Sequence, residues 1–400
     1  MKLNYKAATK DGKIIKGIVE AKDIREAAIY LRNRGFLPIR INSRDEKGIL
    51  KYFSFLNRVK SSNVVFFTRQ LSSMLESGLT LMQALNILKD QMQSQIMTEI
   101  VRGVITEVED GKSFSIAISK YPNAFSSVYI SLIKAAETSG LLDKVLLRLS
   151  ENLEKREKLK GTIKSALMYP IIIIMGMMGI VVLMMVFVIP QLAVLYTSLN
   201  IELPLPTKIV VGFSGFLTTF WPLVLGFTIL AAFVYRRWHK TESGQLIIDN
   251  AILKLPIFGK LISQTILTEF TRTLGLLIGA GTLVVESLKE TSDITGNIHY
   301  KNAIVGVSKR VERGITIGDA LGSYPLFPPM LTQMVKIGEQ TGKLDESLLR
   351  VSEYYEREVD QTVKNLTTAM EPIIMVMMGI GVAFLIISVI TPIYKLTSSL

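Results

Sequence analysis

The chain has 400 residues, 49% of them apolar, with a formal net charge of +12 and a mean hydropathy of +0.36. That apolar share is too high for a water-soluble protein of this length, yet 20% charged residues exclude a many-span transporter, so the apolar excess must sit in a few membrane segments. There is no cysteine, which removes disulfides, thiol nucleophiles, iron–sulfur clusters and cysteine-containing zinc sites together.

Residues 1–42 read as a small ββαβ domain. Leu3 to Ala8 and Lys13 to Ala21 alternate around Lys10-Asp11-Gly12, a hairpin signal; Asp23 caps a helix that Gly35 stops, and Leu37 to Asn42 supplies the third strand. The N-terminus lacks the apolar core of a cleavable signal peptide. Residues 43–62 read as a linker whose Ile49, Leu50, Phe53 and Phe55 suit a neighbouring surface or the bilayer face.

From residue 63 the pattern is helical. Phe67, Leu71, Met74 and Leu75 share a stripe that Gly78 terminates, and further helical stretches cover Leu81 to Met92, Ile96 to Val108, Ser113 to Ser119, Ser126 to Ala136 and Leu142 to Lys164. Short connections around Gly111, Pro122 and Gly140 predict an antiparallel bundle of six helices over 63–169. The last helix is expected to continue into the apolar run 170–190.

The bundle then recurs at a spacing of about 203 residues. Phe67-Thr68-Arg69-Gln70-Leu71 returns as Phe270-Thr271-Arg272-Thr273-Leu274, Glu109 to Pro122 returns as Glu312 to Pro325, and Glu137 to Asp143 returns as Glu339 to Asp345. These windows agree at 13 of 26 positions, against roughly one in fifteen for unrelated sequence of average composition. The second bundle occupies 236–371, with Gly281 and Gly342 in the places of Gly78 and Gly140. Both copies lead into apolar stretches, at Tyr169-Pro170 and at Glu371-Pro372.

Three segments are long enough to cross a hydrocarbon core of about 30 Å: 170–190, 209–235 and 372–391. Lysine and arginine number twenty-eight before the first, one between the first two, sixteen between the second and third, and one after the third. The residues near the span ends repeat this bias, so both bundles are expected on the cytoplasmic side, with 191–208 and 392–400 outside. The positive charge then reflects orientation and an anionic leaflet, not nucleic-acid binding, because no basic–aromatic interleaving accompanies it.

Catalytic and cofactor apparatus is not visible. Asp110-Gly111-Lys112-Ser113 ends like a phosphate loop, but Thr106 stands where that motif requires glycine. His239 and His299 have no second ligand at metal spacing, and Gly379-Ile380-Gly381 lacks the third glycine of a dinucleotide fingerprint. No cofactor is expected. What stands out is a doubled set of charges. Arg69 and Arg272 point about 200° away from the local apolar stripe, while Glu137 and Glu339 lie in a last helical turn, where the helix dipole disfavours an anion. One reading is an intradomain bridge from Arg69 to Glu137 and from Arg272 to Glu339; the other is contact with a partner protein. Glu371 is a further candidate because carboxylates near membrane depth are costly.

The doubled order resembles the inner-membrane platform proteins of bacterial type IV pilus assembly and type II secretion, the PilC/GspF family. The resemblance rests on the N-terminal unit with Gly12 and Gly35, the repeated Phe-Thr-Arg openings, the Glu-x-x-Gly-x-Leu-Asp elements at Glu137 and Glu339, and the three spans. It implies a mainly α, non-enzymatic protein of the bacterial inner membrane that forms homo-oligomers and contacts a cytoplasmic hexameric assembly ATPase, pilin or pseudopilin subunits and other inner-membrane components. Pilus assembly is preferred to secretion, and an oligomeric transporter is the more distant alternative. Arg69, Gln70, Gly78, Glu137, Gly140, Pro170, Arg272, Gly281, Glu339, Gly342, Glu371 and Pro372 are the structural or partner-contact candidates.

Overall fold

The computed structural model describes residues 2–8, 14–21, 24–33, 35–43, 59–188, 190, 191, 194, 205–239 and 241–398. The turn at Lys10-Asp11-Gly12, the cap at Asp23 and most of the linker and of the loop 191–208 lie outside the described residues.

The chain divides into two units, residues 1–59 and 60–400. In the first, β1 (Lys2–Ala8), β2 (Ile14–Glu20) and β3 (Leu37–Ser43) form an antiparallel sheet in the order β2-β1-β3, with α1 (Ile24–Asn33) between β2 and β3 in the chain. Period-2 alternation places Ala7 and Val19 inward, where Ala27 and Leu31 of α1 join them in burial.

The second unit begins with α2 (Ser61–Glu76), α3 (Leu81–Gln91), α4 (Gln95–Glu109), α5 (Phe114–Ser119), α6 (Ser127–Ser139) and α7 (Leu142–Leu183). Hydroxyl side chains start four of these helices. Thr80 forms a capping box with Gln83, and Ser94, Ser113 and Ser126 accept from the backbone N–H three residues on. Each such cap contributes about 1 kcal/mol to its helix.

A π-helical turn at Met184–Val188 ends α7. Next comes α8 (Leu205–Trp238), kinked at Phe220, two residues before Pro222, whose ring cannot accept an unbroken preceding turn. The second copy follows: α9 (Glu242–Lys254), α10 (Phe258–Gly279), α11 (Val284–Ile294), α12 (Ile298–Glu312), α13 (Ile317–Gly322), α14 (Pro329–Thr341) and α15 (Leu344–Ser398).

The duplication extends to the cores. Phe67 meets Phe125 at 5.7 Å between ring centroids, and their counterparts Phe270 and Phe327 meet at 5.6 Å. Phe67 and Phe125 are fully buried and Phe270 nearly so, and burying each ring stabilises its bundle by about 1.5–3 kcal/mol. Truncating either ring to alanine costs about 3–5 kcal/mol, because a cavity remains.

Both copies end in a helix that runs without a break from bundle into apolar sequence. Among the described residues two helices are long and apolar enough to cross a membrane, Leu142–Val188 and Leu344–Phe384. They run side by side in the same direction. Leu159 packs against Val359, Val363 and Leu366 near the bundles, and farther along, a methyl added at Gly381 would sit 3.5 Å from Sδ of Met177. On α8, Leu223, Phe227, Ile229 and Phe233 are also exposed and apolar.

Candidate functional site

The two glutamates singled out by the sequence occupy equivalent places, but not as ion-pair partners of the arginines. Glu137, in the last turn of α6, accepts from the backbone N–H groups of Phe114 and Ser115 and from the Ser115 hydroxyl. Glu339, in the last turn of α14, accepts from the N–H groups of Ile317 at 3.0 Å and Gly318 at 3.3 Å. The expected bridges from Arg69 to Glu137 and from Arg272 to Glu339 are therefore absent. The start of a short helix carries unpaired N–H donors, and each bundle brings that end against the neighbouring helix's C-terminus, so the carboxylate the dipole disfavours is held by backbone donors instead.

Gly140 and Gly342 end α6 and α14 in the left-handed region at φ 70° and 68°, and Gly78 and Gly281 turn the chain after α2 and α10 at φ 87° and 86°. A side chain at these angles is strained, which explains glycine in both copies.

The arginines find other carboxylates. Arg69 lies 3.5 Å from Glu154, each side chain 45% exposed. Arg272 lies 2.6 Å from Glu356 and 3.8 Å from Glu269, with its own side chain only 3% exposed. The two arginines hold the same helical position in their copies but differ in exposure. The difference arises because the first copy covers the α10 face of the second, whereas the equivalent α2 face is uncovered. Arg156 of α7 reaches Glu269 at 3.1 Å, and Lys155 reaches Glu353 at 3.3 Å. A chain of alternating charge, Arg156–Glu269–Arg272–Glu356, thus crosses the seam between the copies. Beside it lies a cavity of about 50 Å³ lined in part by Tyr129, Leu132, Leu149 and Leu276.

Sequence reasoning missed Arg156, Glu269, Glu154 and Glu356. The last two were signalled, since Arg-x-Ser-Glu-x-x-Glu occurs at Arg148 to Glu154 and again at Arg350 to Glu356. Of the remaining candidates, Gln70 is half-buried on α2, Pro170 is buried inside α7, and Glu371 and Pro372 are exposed on α15. Glu371 has no ion-pair partner among the described residues.

The other groups able to carry chemistry are engaged in structure. Lys112 pairs with Glu107 at 2.5 Å and Lys120 with the same carboxylate at 2.6 Å, which hold Glu107 below the usual carboxylate range. Ser113 caps α5, and Nε2 of His299 lies 3.1 Å from the Leu246 carbonyl oxygen. Among the described residues no group of three His, Asp or Glu side chains is placed to hold a metal.

The sequence relationships agree with this doubled architecture. The family profile described as type II secretion system protein F matches twice, over residues 67–190 and 270–392, so that each match contains one bundle and the apolar stretch after it. The N-terminal domain of the same protein is matched over residues 4–42. The chain is 36% identical to the type IV pilus assembly protein PilC of Thermus thermophilus, covering 99% of this chain and 98% of that one. It is 34% identical to PilC of Pseudomonas aeruginosa over 92% and 97% of the two chains, and 28% identical to type II secretion system protein F of Aeromonas hydrophila over 95% and 99%. With both bundles, both apolar continuations and the N-terminal unit all matched, the chain belongs to the type II secretion system protein F family, which includes the PilC proteins of type IV pilus assembly.

Proposed function

We propose that this protein is the inner-membrane platform of a type IV pilus machine, coupling a cytoplasmic assembly ATPase to the insertion of pilin subunits into a growing fibre. The observation that carries the reading is the unbroken passage of α7 and α15 from helical bundle to apolar segment, twice in one chain and in parallel. A rotation or shift imposed on a bundle reaches the bilayer through such a helix without a loop to absorb it. In this reading α8 is the third span, both bundles are cytoplasmic, the protein self-associates, and the chain acts without a nucleotide site or catalytic centre of its own.

Full-length relatives named as PilC favour pilus assembly. A secretion platform handling pseudopilins is the second reading, supported by relatives of lower identity that carry the secretion name. Purification of the tagged protein from native membranes in mild detergent, followed by mass spectrometry, tests the proposal. Recovery of an assembly ATPase with pilins supports it, and recovery with pseudopilins favours the secretion reading. If such proteins are present in the cell and stay absent from the crosslinked complex, the platform function is wrong.

A further inference from the structure

The contact between the two copies is not symmetric, although the copies are. The first bundle uses its α6–α7 face, with Leu132 and Arg156, and the second uses its α10 face, with Glu269 and Leu276. The covered positions Thr273 and Leu276 are each 8% exposed. Their counterparts in the first copy, Gln70 and Ser73, are half-buried and exposed, and beside them Phe66, the counterpart of Glu269, is 43% exposed. The counterpart of the α6–α7 face is open as well. On α14 and α15, Ile337 is 52% and Tyr354 38% exposed, with Met330 and Met334 half-buried on the same α14 stripe. One chain thus holds one made contact and both unmade halves of a second.

We propose that a second copy of this chain docks the α14–α15 face of its second bundle onto the α2 face of the first, repeating between chains the contact that joins the bundles within one chain. A head-to-tail contact of this kind leaves the same two faces open at its ends and so propagates, closing into a ring where the rotation allows. The membrane permits the repetition. Because α7 and α15 run parallel, the operation that carries one copy onto the other keeps the direction of the membrane-entering helices, and a further copy stays in the same bilayer.

Charge supports this occupant. Within the chain, Arg148 lies against Gly279: a methyl there would be 3.2 Å from its Nη1. The Asp345 carboxylate lies at the same spot, 3.1 Å from such a methyl. At the equivalent place between chains Arg350 replaces Arg148 and Glu76 replaces Gly279, which adds a carboxylate opposite the arginine. Both residues are exposed, and neither has an ion-pair partner among the described residues. Phe66 lies on the Met334 and Tyr354 side, while the internal Arg156–Glu269 pair is replaced there by Glu358 and Phe66, Glu358 being already held by Gln264 within its own chain.

The arrangement concerns the self-association within the proposed function and does not depend on the ATPase or the fibre. The natural absence of cysteine gives a direct test in full-length protein in native membranes. Leu132→Cys with Leu276→Cys lines the internal cavity and serves as the control pair. Ser73→Cys with Met334→Cys is the equivalent pair between chains. Mild oxidation of the second double variant is expected to give a ladder of dimers and larger species, while a mixture of the two single variants stops at the dimer. Glu76→Arg is expected to reduce the ladder at least fivefold, and Arg350→Glu in the same chain to restore it. No ladder where the control pair closes, a dimer from either single variant alone, or a crosslink to a different protein would each overturn the arrangement. Such a failure with the ATPase still co-purifying would leave the proposed function standing.

Discussion

Arg156 of the first bundle meets Glu269 of the second at 3.1 Å, and the other oxygen of Glu269 turns toward Arg272 at 3.8 Å. One carboxylate therefore serves a cation from each copy. Phe66 occupies the matching place in the first bundle, so only one of the two equivalent arginines is drawn into the seam.

Equivalent substitutions should therefore differ in cost. Glu356→Ala leaves Arg272, 3% exposed, without its nearest carboxylate and should destabilise the protein by about 3–5 kcal/mol. Glu154→Ala removes the partner of Arg69, where both side chains are 45% exposed and solvent screens the pair, and should cost about 0–1 kcal/mol. Denaturant unfolding of the two variants in the same detergent checks the contrast; equal losses would contradict the burial difference.

The carboxylates at the ends of α6 and α14 should hold the short helices they cap. Glu137→Ala and Glu339→Ala each leave backbone donors unpaired and are expected to cost about 1–3 kcal/mol. Hydrogen exchange gives the local signature. Protection should fall first at the amides of Phe114 and Ser115 in one variant and at Ile317 and Gly318 in the other.

Alkaline pH should loosen both bundles. Burial raises the Tyr129 and Tyr300 phenols above their ordinary range and, with Tyr354 and other neighbouring groups adding, pushes Tyr355 up to about 12. A raised folded pKa means that the folded state holds the proton more tightly, so this stability is complete below the ordinary phenol pKa of about 10 and is lost as pH rises toward the folded value. Tyrosinate absorbance should therefore show a late phase accompanied by unfolding. Tyr355→Phe should remove part of that phase.

Leu159 is a packing test of the contact between α7 and α15. It is 3% exposed against Val359, Val363 and Leu366, and Leu159→Ala should cost about 2–5 kcal/mol. Neither bundle core contains this residue, so both should stay folded. Limited proteolysis should then cut more readily between them.

Helices, their ends and the duplication were legible because each is written locally: stripes such as Phe67–Leu71, and glycines where the chain turns left-handed. The partner of Glu137 was not, because the donors that satisfy it lie more than twenty residues earlier and arrive only when α5 and α6 pack. The burial of Arg272 was hidden for a related reason. Nothing in Phe-Thr-Arg-Thr-Leu differs enough from Phe-Thr-Arg-Gln-Leu to predict it; the covering surface comes from another part of the chain. The turn and cap residues expected at Asp11 and Asp23 lie outside the described residues.

The length of α7 has a mechanical consequence. Pro170 divides the rod unequally, with about 42 Å of helix on the bundle side and about 27 Å beyond it, at 1.5 Å per residue. If pivoted at the proline, such a rod would be a reducing lever. A sideways displacement of 5 Å at the bundle end becomes one of about 3 Å at the far end, in the opposite sense, and the force available there grows by the same ratio. Long travel at the bundle would arrive as a short, stronger stroke among the apolar helices.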